Sequence, residues 1–152
     1  RQMCIRDRPV HRLLARRGVT VARFMGALRP RTFPHLNLRK HRKILVCDGK
    51  VAFTGGMNIR EGHVLGASPP HPVQDLHFEI EGPLVGQLQE TFIDDWAFTT
   101  GELLDGPEWG VSREAPAAGP TLARAITDGP DDDLNKLSLM IAGGISAARE
   151  SV

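Results

Sequence analysis

No apolar run in this sequence exceeds four residues, as in Ile44-Leu45-Val46-Cys47. A helix needs roughly 18–20 apolar residues to cross a bilayer, so no helix formed by this stretch of sequence spans one by itself. Cysteine is almost as scarce. Only Cys4 and Cys47 occur, so neither a disulfide framework nor a Cys-based zinc site is supported. Cys4 sits in a polar terminal stretch. Cys47 lies inside an apolar run and is expected to be buried, because a free cysteine packs as a small hydrophobe. Acidic residues are nearly missing from the first third. Residues 1–43 hold 13 of the 19 Lys and Arg but one of the 18 acids, Asp7, an imbalance that the net charge of +1 conceals. Such a stretch suits an anionic partner (phospholipid head groups, phosphodiesters or nucleic acid) and equally well a solvated basic face.

What is present is enough for one ordinary domain: 152 residues, 41% hydrophobic and 24% charged. Arg1–Arg8 has no periodicity, and residues 1–8 are expected to form a non-native or disordered terminus. Val10, Leu13 and Leu14 have helical spacing up to Arg17, with Gly18 as a stop. Val19–Phe24 then reads as a strand. Pro30 and Pro34 exclude regular pairing across residues 26–37.

Ile44–Cys47 has the continuous apolar character of a strand buried on both faces. Asp48-Gly49 signals a hairpin, because glycine accepts the positive φ that a tight turn requires, and Val51–Thr54 returns. Residues 60–74, with Gly62, Gly66, Pro69, Pro70 and Pro72, read as a surface loop. Leu76, Phe78 and Ile80 alternate with His77, Glu79 and Glu81, which predicts a half-buried strand. Pro83 opens a predicted helix through Trp96, whose stripe of Leu84, Leu88, Phe92 and Trp96 is read as core. Residues 105–120 form a connector in which Trp109 has no assignable role. Leu122–Ile126 is read as a short strand. Asp131-Asp132-Asp133 suits the start of a terminal helix striped by Leu134, Leu137, Ile141, Ile145, Ala148 and Val152.

One constellation carries chemistry. On a strand His41 and Lys43 leave the same face, being two residues apart. If Asp48-Gly49 is a two-residue turn, Cys47 pairs with Lys50, His41 opposes Gly56, and Asn58 lands one diagonal step from His41. Gly56 then leaves space beside the imidazole. An imidazole, an ammonium and a carboxamide around a gap can bind a phosphate, with Lys43 as point charge and Asn58 as neutral donor. His41 can attack phosphorus or move protons. A three-residue turn would instead send Asn58 to the other face. Of the other histidines, His11, His35, His63 and His71 have no partner at metal-ligand spacing and read as loop or surface residues. His77 either lines the pocket or is an exposed strand histidine. Arg39, Lys40 and Arg42 either attract anionic head groups or form a solvated edge.

The pattern His41-x-Lys43-x4-Asp48 followed by Gly55-Gly56-x-Asn58 resembles the signature of the phospholipase D superfamily. The wording from Asn37 to Lys43, from Asp48 to Ile59, from Gln74 to Pro83 and from Phe92 to Trp96 is similar to bacterial cardiolipin synthases. The resemblance runs from about Pro9 to Val152. It implies an α/β fold, a phospholipase D-like half-domain with a mixed β-sheet flanked by helices. The half-domain is expected over 9–104, a linker over 105–120, and the truncated start of a second half over 121–152.

The resemblance further implies a phosphatidyltransferase that works through a phosphohistidine and needs no metal or other cofactor. By position, His41 is the nucleophile, and Lys43 and Asn58 bind phosphate oxygens. Asp48 belongs to the signature but is expected to hold the turn or a salt bridge. Asp75 resembles the acid that orients the nucleophile's other ring nitrogen. The implied partners are an anionic phospholipid substrate, rather than nucleic acid, and a membrane surface, the bacterial inner membrane. Hydrolysis of phosphodiesters is the alternative outcome of the same chemistry. Family synthases carry two such signatures, and no second His-x-Lys-x4-Asp follows residue 58. The other catalytic half, or a homodimer partner, is therefore expected to complete the site, and the single-signature chain to be inactive or nearly so.

Overall fold

The computed structural model describes residues 3–24, 41–64, 66, 68–110, 116–127 and 135–151. Among the described residues three α-helices, α1 (Met3–Arg16), α2 (Leu84–Thr100) and α3 (Lys136–Ala147), accompany three strands, β1 (Ile44–Cys47), β2 (Val51–Gly55) and β3 (His77–Glu81). The strands form one sheet in the order β1-β2-β3. Both pairings are antiparallel, so over the described residues the expected mixed sheet is an antiparallel meander on an α/β chain.

The hairpin forms where the sequence signals it, but its register differs from the two-residue expectation. Asp48 and Gly49 both take positive φ (51° and 62°), and the Lys50 amide donates to the Cys47 carbonyl at 3.0 Å. The ladder nevertheless resumes only at Val51, which pairs with Cys47. Lys50 is thus an extra residue on the returning side, and every later pair is displaced by one. Since side chains alternate with period two, that single residue decides which face each neighbour occupies.

Paired residues share a face of the sheet. One face carries Ile44 and Val46, Ala52 and Thr54, and Phe78 and Ile80. Against it α2 places Val85 and Leu88, which with the fully buried Ala52 make the core, and Ile44, Val46, Ile80 and Ala125 pack around it. Burying a side chain such as Val85 or Leu88 stabilises by about 1.5–3 kcal/mol. Gly82 and Pro83 lead into α2, with the Val85 amide donating to the Gly82 carbonyl at 3.0 Å. The helix stops at Gly101, whose φ of 77° turns its amide back onto the Ala97 carbonyl at 2.8 Å.

Several expectations change with these packing partners. β1 is buried on one face only: Leu45 is 57% exposed and Cys47 is an exposed thiol. Helix α2 covers a single side of the sheet, and among the described residues nothing packs over Leu45. The predicted stripe on α2 is rotated. Leu88 is buried, but beside it lie Val85, Gln89 and Thr91, while Phe92 is 36% exposed. Phe92 instead stacks between Trp96 and Trp109, with ring centroids 6.0 and 5.9 Å apart, which gives Trp109 a role.

Val19–Phe24 and Leu122–Ile126 form no strand, having no ladder partner among the described residues. The first helix begins at Met3 rather than Val10, inside the stretch expected to be a disordered terminus. The terminal helix ends at Ala147, with Ala148 extended, while Asp131–Asp133, Leu134 and Val152 lie outside the described residues.

Candidate active site

His41 and Lys43 stand immediately before β1. His41 is exposed and Lys43 half-buried. The Lys43 ammonium donates to the His41 backbone carbonyl at 2.6 Å, so the charge rests beside the histidine. Arg42, between them, points to the opposite side, where its Nη1 meets Asp95 Oδ1 on α2 at 2.6 Å with both side chains mostly covered. The expected solvated or head-group-attracting Arg42 is therefore an internal anchor. Sequence spacing could not reveal it, because its partner lies 53 residues away. Pinning Arg42 to the helix fixes the parity of the segment, so His41 and Lys43 face away from the core. On Arg42's side, opposite to His41 and Lys43, lies a cleft of about 330 Å³ lined in part by Phe24, Arg42, Phe92, Asp95 and Trp96.

At the end of β2 the backbone is closely approached by the segment leading into β3. The Gly56 amide donates to the Leu76 carbonyl at 2.9 Å, and Asp75 Oδ1 accepts from the Leu76 amide at 2.8 Å. A methyl on Gly56 would overlap the Asp75 carboxylate. At Gly55, whose φ is 156°, an added Cβ would meet the Leu76 carbonyl and lie 2.7 Å from His77 Cα and 2.8 Å from His77 Nδ1. Both glycines are required by this approach, which carries Asp75 and His77 to the end of the hairpin that bears His41 and Lys43.

The structure thus brings His41 to Lys43, and Asp75 to Gly56. It does not bring Asn58 to them by the sheet register. With Cys47 paired to Val51, continuing the ladder sets His41 opposite Met57, and Asn58 has the other parity. Asn58 also lies three residues beyond Gly55, the last residue of β2, and its carbonyl accepts from the Arg60 amide at 2.9 Å. Asp48 sits at the turn with positive φ, far along the strand from His41. His63, read as a surface residue, is buried to 8% exposure in a 3-10 turn over Glu61–His63. His71 and His77 are exposed, and His35 lies outside the described residues.

An imidazole and an ammonium before one strand, with a carboxylate brought in by another, form a set suited to an anionic phosphoryl group. Comparison with known proteins shows what the sequence as a whole is similar to. A cardiolipin synthase A of Pseudomonas syringae pv. syringae is 39% identical over 118 residues, covering 77% of this chain and 24% of the relative. Cardiolipin synthase A of a Pseudomonas fluorescens strain is 38% identical over the same length and coverage, and that of Pseudomonas aeruginosa 37% identical over 77% of this chain and 23% of the relative. These matches support a cardiolipin synthase-like fragment of the phospholipase D superfamily.

The matched stretch spans about a quarter of the length of these relatives. No family model matches the chain, and no solved structure does. Among the described residues of this synthase-like chain, no helix is long and apolar enough to cross a membrane.

Proposed function

We propose that this chain supplies one catalytic half, over residues 9–104, of a phosphatidyltransferase of cardiolipin synthase type. The observation that carries the reading is the Lys43 ammonium bound to the His41 backbone carbonyl at the start of β1, in a sequence 39% identical to a cardiolipin synthase A. In this reading His41 attacks the phosphorus of a phosphatidyl donor. An N–P bond forms as the P–O bond to the head-group alcohol breaks, and that alcohol leaves with a proton. The hydroxyl of an acceptor lipid then attacks phosphorus, the N–P bond breaks, and His41 is regenerated.

Lys43 offsets charge on the non-bridging oxygens. Asp75, carried towards the site by its contact with Gly56, orients the His41 ring and stabilises its imidazolium. Asn58 is assigned to phosphate by resemblance, reaching it from the loop beyond β2. The proton donor for the leaving alcohol comes from a second half, which residues 121–152 open, or from a second copy of the chain. The substrate is an anionic phospholipid at the bacterial inner membrane surface.

The test is lipid product analysis on phosphatidylglycerol vesicles with the polypeptide that carries these residues. Wild type is expected to form cardiolipin and release glycerol, and His41→Ala neither. Phosphatidic acid without cardiolipin would make the protein a hydrolase instead. Binding without turnover by wild type would overturn the catalytic reading. Appreciable turnover by the 152-residue chain alone, as a monomer, would overturn the two-half reading.

A further inference from the structure

We infer that His77 is a second imidazole of the phosphate site, donating a hydrogen bond to the same phosphoryl group that Lys43 holds. This rests on the reading of the site given above. Three observations lead to it. His77 is the Cα partner of Gly55, and residues opposite each other in a sheet share a face. Continuing the ladder one step beyond the last paired residues of the hairpin, Ile44 and Thr54, sets Lys43 across from the same Gly55. Lys43, Gly55 and His77 therefore form one cross-strand row on the face turned from the core, with no side chain in the middle.

The glycine is not an incidental gap. A Cβ there would lie 2.8 Å from His77 Nδ1, so the imidazole lies over the glycine backbone. The two flanking Cα atoms are two inter-strand spacings apart, about 10 Å. A tetrahedral oxyanion fits between side chains based at that separation, held by an N–H or ammonium donor on each side at about 2.8 Å. With Nδ1 set against Gly55, Nε2 is the nitrogen assigned to the phosphoryl oxygen. Asp75 precedes the row and Glu79 follows it on the same face, opposite Phe53, so the site has acidic neighbours on β3 and basic ones at the start of β1.

The experiment is an NMR titration of the 152-residue chain with inorganic phosphate, reading the imidazole nitrogens. Phosphate is expected to move the His77 and His41 signals along one binding curve. His77→Ala and Lys43→Ala should each weaken binding about tenfold, the scale of one hydrogen bond to a charged group. His77→Gln, which keeps a donor, should retain most of the affinity. If Lys43→Ala weakens binding while His77→Ala binds as wild type, His77 is not a ligand and the inference fails alone. If phosphate moves neither imidazole of the wild-type chain, the phosphate-site reading fails and the inference with it. Because the wild-type signals report directly, the result does not depend on how well either alanine variant folds.

Discussion

Replacing Gly55 by alanine tests the tightest backbone contact at any glycine among the described residues, where β2 passes the segment entering β3. Two costs combine there. The φ of 156° belongs to a region that only glycine occupies readily, and holding another residue in it costs about 1–3 kcal/mol. The new methyl also meets the Leu76 carbonyl and lies 2.7 Å from His77 Cα, both backbone atoms that cannot swing aside. Overpacking of that kind costs about 1–3 kcal/mol. The sum is roughly 2–6 kcal/mol, a large fraction of the stability of a small domain.

Gly101 is the matched control. Its φ is 77° and an added Cβ would meet nothing within 4 Å, so Gly101→Ala carries only the left-handed strain of about 1–2 kcal/mol. Urea unfolding followed by circular dichroism, with the slope checked for constancy, gives both values. Gly55→Ala should be the more destabilising by at least about 1 kcal/mol. Equal losses would refute the close approach that carries Asp75 and His77 to the hairpin.

Two further outcomes are expected. Arg42 and Asp95 are 29% and 20% exposed, so a double-mutant cycle with alanine should give a coupling near 1 kcal/mol that weakens with added salt; additive losses would show that the pair does not anchor the segment. Cys47 should react with a thiol reagent in the native chain nearly as fast as in urea, and protection of a hundredfold or more would mean that its face of the sheet is covered.

The hairpin was legible because Asp48-Gly49 sits between two apolar runs, and α2 because Pro83 opens it and apolar residues recur along it. The register was not. The Lys50 amide meets the Cys47 carbonyl in either register, so that bond does not decide whether Lys50 pairs or is passed over, and residue type does not encode the choice. The same displacement removed Asn58 from the face of His41 while leaving His41 and Lys43 together, since their parity is local to one segment. Cys47 was misjudged for a different reason: an apolar run states what a strand tolerates, while its burial depends on what packs above it. Arg42 found its partner across 53 residues, a distance at which no periodicity applies. Asp75, by contrast, is assigned from a resemblance, and the structure sets its carboxylate against Gly56.

Helix α2 has been described as the cover of one sheet face, but its side chains also reach three separate places. Gln87 accepts from the Ala125 amide at 3.1 Å, Gln89 donates to the Trp109 carbonyl at 3.1 Å, Phe92 stacks on Trp109, and Asp95 holds Arg42. An α-helix is stiff along its length, so these attachments cannot shift independently. Ala125 and Arg42, the residue between His41 and Lys43, are thus held by one rod. The stretch holding Trp109 and Ala125 and the segment from His41 to Lys43 thereby share one rigid support.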